Sequence, residues 1–290
     1  MRVIRLGARR ILYAIGVFMM AGFVVSGALA LAPDAAREVP RLSLLLGYAE
    51  QFFTFDFEGS PALEVVRLSA ELTFYLVGAS VVLTTVLGVG IGLAGELTSA
   101  RTFFSWVTRV IELMSSAPVL IVALVGMLFF TKVFGLMPEF SLVREGSGFD
   151  RFVAFVLPVL TLTFGDGLLP DVIRSTEVRV QQVAAREYMR ALRAKGVPVG
   201  GHYLRSLAPT IAGLIASKVT LLLSSAVVVE YVFNWKGLGY AVVFALQQSK
   251  QYELVLLVTM LMVLVVLVVS LAVQIVSDLS DPRSRTTPST

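Results

Sequence analysis

The chain has 290 residues, of which 57% are hydrophobic and 15% charged. That apolar share exceeds what a water-bounded core can hide, so lipid is part of its solvent, which excludes a soluble enzyme and a disordered tail. The absence of cysteine and the single histidine, His202, exclude a disulfide framework and a thiolate or His-rich metal site, and a net charge of +4 is too mild to indicate nucleic acid.

A spanning helix needs roughly 20 mostly apolar residues. Six stretches qualify in chain order: 11–32, 68–95, 109–131, 152–173, 207–232 and 253–277. The first follows a basic cluster (Arg2, Arg5, Arg9, Arg10) and ends near Ala28-Leu29-Ala30, which resembles a signal-peptide cleavage site; its length favours a retained span. The loop after it carries Phe52, Phe53, Phe55 and Phe57, expected at the lipid interface. The fourth stretch contains Pro158, Pro170 and Asp166, and the sixth is Leu and Val on all sides, as a helix facing lipid would be. The expected fold is an all-α membrane protein, a single transmembrane domain over 1–290 with a cytoplasmic loop at 174–206 and a loose polar tail at 278–290.

Basic residues set the orientation. With the N-terminus inside, inner segments hold 15 of the 24 Lys and Arg and outer segments hold 8, with Lys218 inside the fifth span. Cytoplasmic loops carry the Lys and Arg excess in membrane proteins, so both termini are expected in the cytoplasm.

Asp166 and Lys218 lie at similar depth on adjacent antiparallel spans. Intramembrane charges mark function or pair with one another. Two readings stand: a proton or ion relay, and a structural pair or polar lining, the second preferred. Pairing predicts that Asp166→Asn and Lys218→Met each impair the protein and that a charge swap partly rescues it.

Gly90-Ile91-Gly92-Leu93-Ala94-Gly95 matches the dinucleotide fingerprint letter for letter, but it ends an apolar 20-mer with no strand before it. Gly88 and Gly92 form a GxxxG step, so close helix packing is the better reading. No phosphate-binding loop of the G-x-x-x-x-G-K-[ST] type occurs, so any ATP-driven work needs another subunit.

The loop Arg186-Glu187-Tyr188-Met189-Arg190-Ala191-Leu192-Arg193-Ala194-Lys195-Gly196-Val197-Pro198 is the most informative stretch. Residues 177–195 contain neither Gly nor Pro and read as a helix, with Gly196 as its C-terminal cap and Pro198 blocking continuation. Tyr188, Met189, Leu192 and Val197 form an apolar edge beside a basic one, suited to a partner groove or to anionic headgroups.

Arg190 to Gly196, with Pro209 thirteen residues after the glycine, resembles the "EAA" loop of ABC importer permeases. Tyr188 to Gly196 is closest to the version of the dipeptide/oligopeptide-type branch. Two further blocks agree: Val229-Glu230-Tyr231-Val232-Phe233-Asn234-Trp235-Lys236-Gly237-Leu238-Gly239, and Asp278 followed by Asp281-Pro282-Arg283. The likeness covers roughly residues 65–285 in order and spacing. The chain departs from the pattern in Arg190 and Leu192, which replace Glu and the second Ala of the general motif. Lys236 stands for the usual Pro, and Ala32-Pro33-Asp34 only echoes an N-terminal Pro-Gly-Asp-Pro element.

The resemblance implies a type I importer permease fold with six spans in the bacterial inner membrane. The chain would form half of a pore for peptides or a similar small solute, completed by a second homologous permease. Two cytoplasmic ATPases carrying ATP and Mg would dock on its loops, and an extracytoplasmic solute-binding protein would deliver cargo. The chain itself would bind no cofactor or metal and perform no catalysis. Coupling would fall to Arg186, Glu187, Tyr188, Arg190, Ala191, Leu192, Arg193, Ala194, Lys195 and Gly196, with Pro209. Asp166, Lys218 and Glu230 are the weaker pathway candidates. The rival readings are a proton-coupled secondary transporter using Asp166 and Lys218, and a membrane scaffold that recruits a cytosolic partner.

Overall fold

The computed structural model describes residues 2–31, 40–54, 60–135, 148–249 and 252–280. Among the described residues all regular structure is helical. The helices are α1 (Arg2–Ala30), α2 (Arg41–Thr54), α3 (Pro61–Leu97), α4 (Arg101–Ser115), α5 (Val119–Phe134), α6 (Gly148–Gly165), α7 (Leu168–Ala184), α8 (Glu187–Ala194), α9 (Gly200–Val232), α10 (Leu238–Phe244) and α11 (Tyr252–Ser280). A π-helical turn, Ala245–Ser249, follows α10.

Among the described residues, four helical stretches are long and apolar enough to cross a membrane: Ala62–Leu97, Gly148–Gly165, Gly200–Val232 and Tyr252–Leu271. The α4–α5 pair reaches that measure only with both halves taken together, across a bend of 103°. Ala14–Ala30 of α1 is a shorter apolar stretch.

Three expected boundaries change. The stretch 109–131 is not one straight helix. It breaks at Ser116–Pro118, where Pro118 has no N–H to donate and pushes Ala117 away from helical geometry. The stretch 152–173 ends at Gly165 and resumes at Leu168, because Gly167 takes a left-handed φ of 78°. Pro158, which looked like the weak point, stays inside α6. The helix expected over 177–195 divides at Ala185–Arg186, where Arg186 is extended (φ −71°, ψ 141°). No Gly or Pro causes that division. Turning there buries Met189 against Val180, Val183, Tyr203 and Leu207. Burying one such side chain yields about 1.5–3 kcal/mol, against a few tenths per residue for helix propensity. At the C-terminus α11 runs to Ser280; Asp281-Pro282-Arg283 and the rest of the expected tail lie outside the described residues.

The chain forms two compact units, Met1–Thr73 with Lys236–Leu271, and Phe74–Trp235 with Ala272–Thr290. In the first, α1 packs on α2. Gly22 lets the Phe52 ring approach so closely that a Cβ there would lie 2.6 Å from it. Phe52 is therefore fully buried, its ring tilted against Phe18 with centroids 5.0 Å apart, not set at the lipid interface as its position in an outer loop suggested. Phe55 and Phe57 lie outside the described residues. Leu254 to Val258 of α11 join Phe52 and Leu238 in the same core, so the opening turns of the Leu/Val-rich helix face protein. The Leu238 N–H donates to Thr73 Oγ1 at 2.8 Å.

In the second unit α7 is the central element, in contact with α4, α6, α8 and α9. α3 meets it through the GxxxG step: a Cβ on Gly88 would lie 2.5 Å from Val172 Cγ1, and one on Gly92 2.7 Å from Thr176 Cβ. The glycine-rich stretch is thus helix interior, and the nucleotide fingerprint is a coincidence of spacing.

The two helix breaks of this unit interlock. Ser115 Oγ, at the end of α4, donates to the Phe164 carbonyl at 2.7 Å, satisfying an acceptor left over at the end of α6. Gly165 sits against Val119, the first residue of α5, with its notional Cβ 3.0 Å from Val119 Cγ2.

Candidate coupling and pathway sites

The short helix α8 is built as a presented element. Met189 is wholly buried and Leu192 is half-buried in the core formed with α7 and α9. Arg186, Glu187, Tyr188, Arg190, Ala191, Ala194 and Lys195 are exposed. The apolar edge expected to meet a partner is therefore partly spent on the protein's own core, and the outward face is basic with small residues. Arg193, also exposed, donates through Nη2 to the hydroxyl of buried Tyr203. The Tyr188 and His202 rings lie 6.3 Å apart.

The end of α8 is fixed as the sequence implied. Gly196 has φ 69°, in the left-handed region. Its N–H donates to the Arg193 carbonyl at 3.0 Å, and the Val197 N–H reaches the Leu192 carbonyl at 3.1 Å. These are the two bonds of a Schellman cap. Pro209 lies within α9 and is exposed. Behind the helix, Arg179 Nε donates to Ser206 Oγ at 2.9 Å, tying α7 to α9.

The intramembrane charges do not pair as expected. Lys218 Nζ lies 2.8 Å from Asp171 Oδ2, with both side chains partly exposed. Asp166 instead caps α7: its Oδ1 accepts the Leu168 N–H at 2.8 Å, and its Oδ2 finds no hydrogen-bond partner among the described residues. The reason is the break at Gly167, which turns Asp166 toward the free N–H groups of a helix start and puts Asp171 within reach of α9. Glu230 is completely buried within the chain. Its carbonyl accepts the N–H of buried Trp235 at 2.8 Å, closing the turn after α9. In the block that follows, Lys236 donates to the Tyr240 hydroxyl at 2.8 Å and lies 4.0 Å from its ring centroid.

A double-mutant series tests the observed pair. Lys218→Met and Asp171→Asn are each expected to lower transport. The swap Lys218→Asp with Asp171→Lys recovers part of it, whereas Lys218→Asp with Asp166→Lys recovers none. Rescue by the Asp166 swap would show that the 2.8 Å pair is not the functional one.

Sequence reasoning missed the polar seam between α3, α4 and α7. Arg174 bridges Glu112 at 2.9 Å, Arg101 bridges Glu96 at 3.4 Å, and Gln181 Nε2 donates to Glu96 at 2.9 Å. The only signal in the sequence is the polar face of α7 (Asp171, Arg174, Gln181), which does not name its partners on α3 and α4. Glu177 lies in this seam. Burial, then Glu96, raise its carboxyl above the ordinary range, while Arg101 and Arg174 pull it back. A carboxyl raised on folding supports the fold below its unfolded value, and that support is lost as pH rises through the folded value. Glu177→Gln is therefore expected to be more stable than the parent at neutral pH, the difference vanishing in acid; thermal unfolding in detergent across pH checks this.

Comparison with known proteins adds to this geometry. The family model described as binding-protein-dependent transport system inner membrane component matches residues 85–286, from the second half of α3 through α11. A putative peptide permease protein of Brucella suis biovar 1 is 26% identical over 223 residues, covering 74% of this chain and 69% of the relative. A glutathione transport system permease protein of Pectobacterium atrosepticum is 29% identical over 187 residues, 62% of this chain and 57% of the relative. A dipeptide transport system permease protein of Escherichia coli K12 is 28% identical over 146 residues, 49% and 42% respectively. With a family match across more than half its length, the chain belongs to the inner-membrane components of binding-protein-dependent transport systems.

Proposed function

We propose that the chain is one half of the pore of an ATP-driven importer for peptides or a similar small solute. α8 is its coupling helix, seated in a groove of a cytoplasmic ATPase. The observation that carries this is the presentation of α8: buried Met189 and the Gly196 cap hold eight residues rigidly while their basic, small-residue face points outward. The names of the relatives, peptide, glutathione and dipeptide permeases, support the solute class.

Six spans follow when α1 and the bent α4–α5 pair are counted with the four long apolar helices, and the basic excess then puts both termini in the cytoplasm. A second permease completes the pore, and a solute-binding protein delivers cargo from outside. Two ATPases bind ATP and Mg, so this chain needs no cofactor of its own. ATP-driven closure moves the coupling helices and opens the pore outward, and hydrolysis resets it. Such a shift requires that nucleotide and loaded binding protein favour different states. Lys218, held by Asp171, is the leading pathway candidate, with Asp166 and Glu230 beside it. A relay through Asp166 and Lys218 loses support, since Lys218 is held by Asp171.

Purification of the tagged chain from its native membrane tests the reading. Co-elution of ATPase subunits with ATP-dependent uptake is expected. A lone chain that drives proton-coupled uptake overturns it.

A further inference from the structure

Two side-chain bonds fix how α7 and α9 face one another. Lys218 meets Asp171 at 2.8 Å, and Arg179 Nε donates to Ser206 Oγ at 2.9 Å. The two helices therefore run antiparallel, with position 171 beside 218 and position 179 beside 206. Between them opens a cleft of about 270 Å³, lined by Arg174, Ser175, Val178, Arg179 and Gln182 of α7 and Thr210 of α9. All of these except Val178 carry hydrogen-bond donors, and among the described residues no carboxylate lines the cleft.

The charge in the cleft comes down to Arg179. Arg174 already holds Glu112 at 2.9 Å. Half-buried Arg179 has only neutral partners, the hydroxyl and carbonyl of Ser206, and both are met by Nε; its two Nη nitrogens have no partner among the described residues. A guanidinium fixed by its Nε, with both Nη groups free, is a fork for one oxyanion. With Arg174 neutralised, one positive charge is left. That matches a carboxylate and undercompensates a phosphate dianion so close to Glu112. The cleft also continues into a polar face. From Thr210, α9 runs away from α8 through Gly213, Ser217, Thr220 and Ser224 at helical spacing, all partly or fully exposed, with the Lys218–Asp171 pair beside them. A span that exposes an ion pair and a row of hydroxyls lines a wet cavity, not lipid.

We propose that the cleft formed by Arg174, Arg179 and Thr210 is a carboxylate-binding site on the solute's route, taking the carboxylate of the transported solute. That the carboxylate belongs to a transported solute rests on the importer reading above; the site itself does not.

The chain has no cysteine, so Thr210→Cys places a single thiol in the cleft. The purified full chain carrying it is treated with thiosulfonate reagents that bear a sulfonate, a trimethylammonium or no charge, alongside a free thiol in solution. The sulfonate-to-ammonium rate ratio is expected to exceed that of the free thiol on the order of fivefold, as one nearby cation requires. The ratio cancels any change in the thiol's own reactivity. Adding Arg179→Gln returns the ratio to the free-thiol value and Arg179→Lys retains it, a split that a merely structural role would not produce. N-acetyl-dialanine slows the uncharged reagent, and its C-terminal amide does not. A free-thiol ratio in Thr210→Cys, an unchanged ratio with Arg179→Gln, or no labelling by any reagent overturns the site. Equal protection by acid and amide overturns the carboxylate assignment. Slower labelling in phosphatidylglycerol than in phosphatidylcholine vesicles, with no effect of the soluble acid, gives the cleft to a lipid phosphate and overturns the solute's claim to it. None of these measurements needs an ATPase or uptake, so the cleft and the importer reading fail separately.

Discussion

Ala191→Asp is expected to abolish solute uptake while leaving the amount of inserted protein unchanged. Ala191 is exposed on the outward face of α8, so the fold loses little; exposed substitutions away from special features stay within about 0.5 kcal/mol. A partner groove closing on that face must instead desolvate an unpaired carboxylate. That costs on the order of 3 kcal/mol or more, enough to weaken docking more than a hundredfold. Gly196→Leu reaches the same end by another route. A side chain at φ 69° costs roughly 1–2 kcal/mol and loosens the cap that sets the exit of α8. ATP-dependent uptake, normalised to membrane-inserted protein, checks both variants. Normal uptake by the pair removes the case for α8.

The second large effect lies in the glycines of α3. Gly88→Ala and Gly92→Ala are expected to destabilise the protein by about 1–3 kcal/mol each, the usual cost of overpacking. The new methyls would meet Val172 at 2.5 Å and, for position 92, the Ile173 carbonyl at 2.9 Å. Gly90→Ala, two residues away with nothing within 4 Å of its notional Cβ, is expected to be neutral or to stabilise by up to about 1 kcal/mol through helix propensity. Thermal unfolding in detergent separates the three. Equal effects at 88, 90 and 92 would show that the α3–α7 contact does not set stability.

These positions indicate what was legible in the sequence. Periodicity and apolar length placed α3, α9 and α11 within a few residues at most ends, since a long apolar helix carries its own signal. The GxxxG step was also readable, because in a span small residues four apart have few other uses. Gly196 was readable because a glycine after a run of helix formers, followed by Pro198, satisfies a local rule.

The failures share a different cause. The break at Arg186 has no local signature; it follows from the burial of Met189 among residues of two other helices. The Lys218 partner was misassigned because depth along a straight span was used to match charges. The turn at Gly167 spoils that measure, withdrawing Asp166 into a cap and presenting Asp171. Pro118 is a visible breaker, but neither the 103° bend nor the bond from Ser115 to a residue 49 positions away has a local signature.

The central claim, that α8 meets an ATPase, is tested most directly by site-specific cross-linking. The native chain has no cysteine, so Ala191→Cys supplies a single thiol that can be labelled with a photoactivatable benzophenone in native membranes. The account predicts an adduct between this chain and an ATPase subunit whose yield changes when ATP is added, and no such adduct from Phe129→Cys on α5. Full ATP-dependent uptake by the labelled Ala191→Cys protein with no ATPase adduct would contradict it.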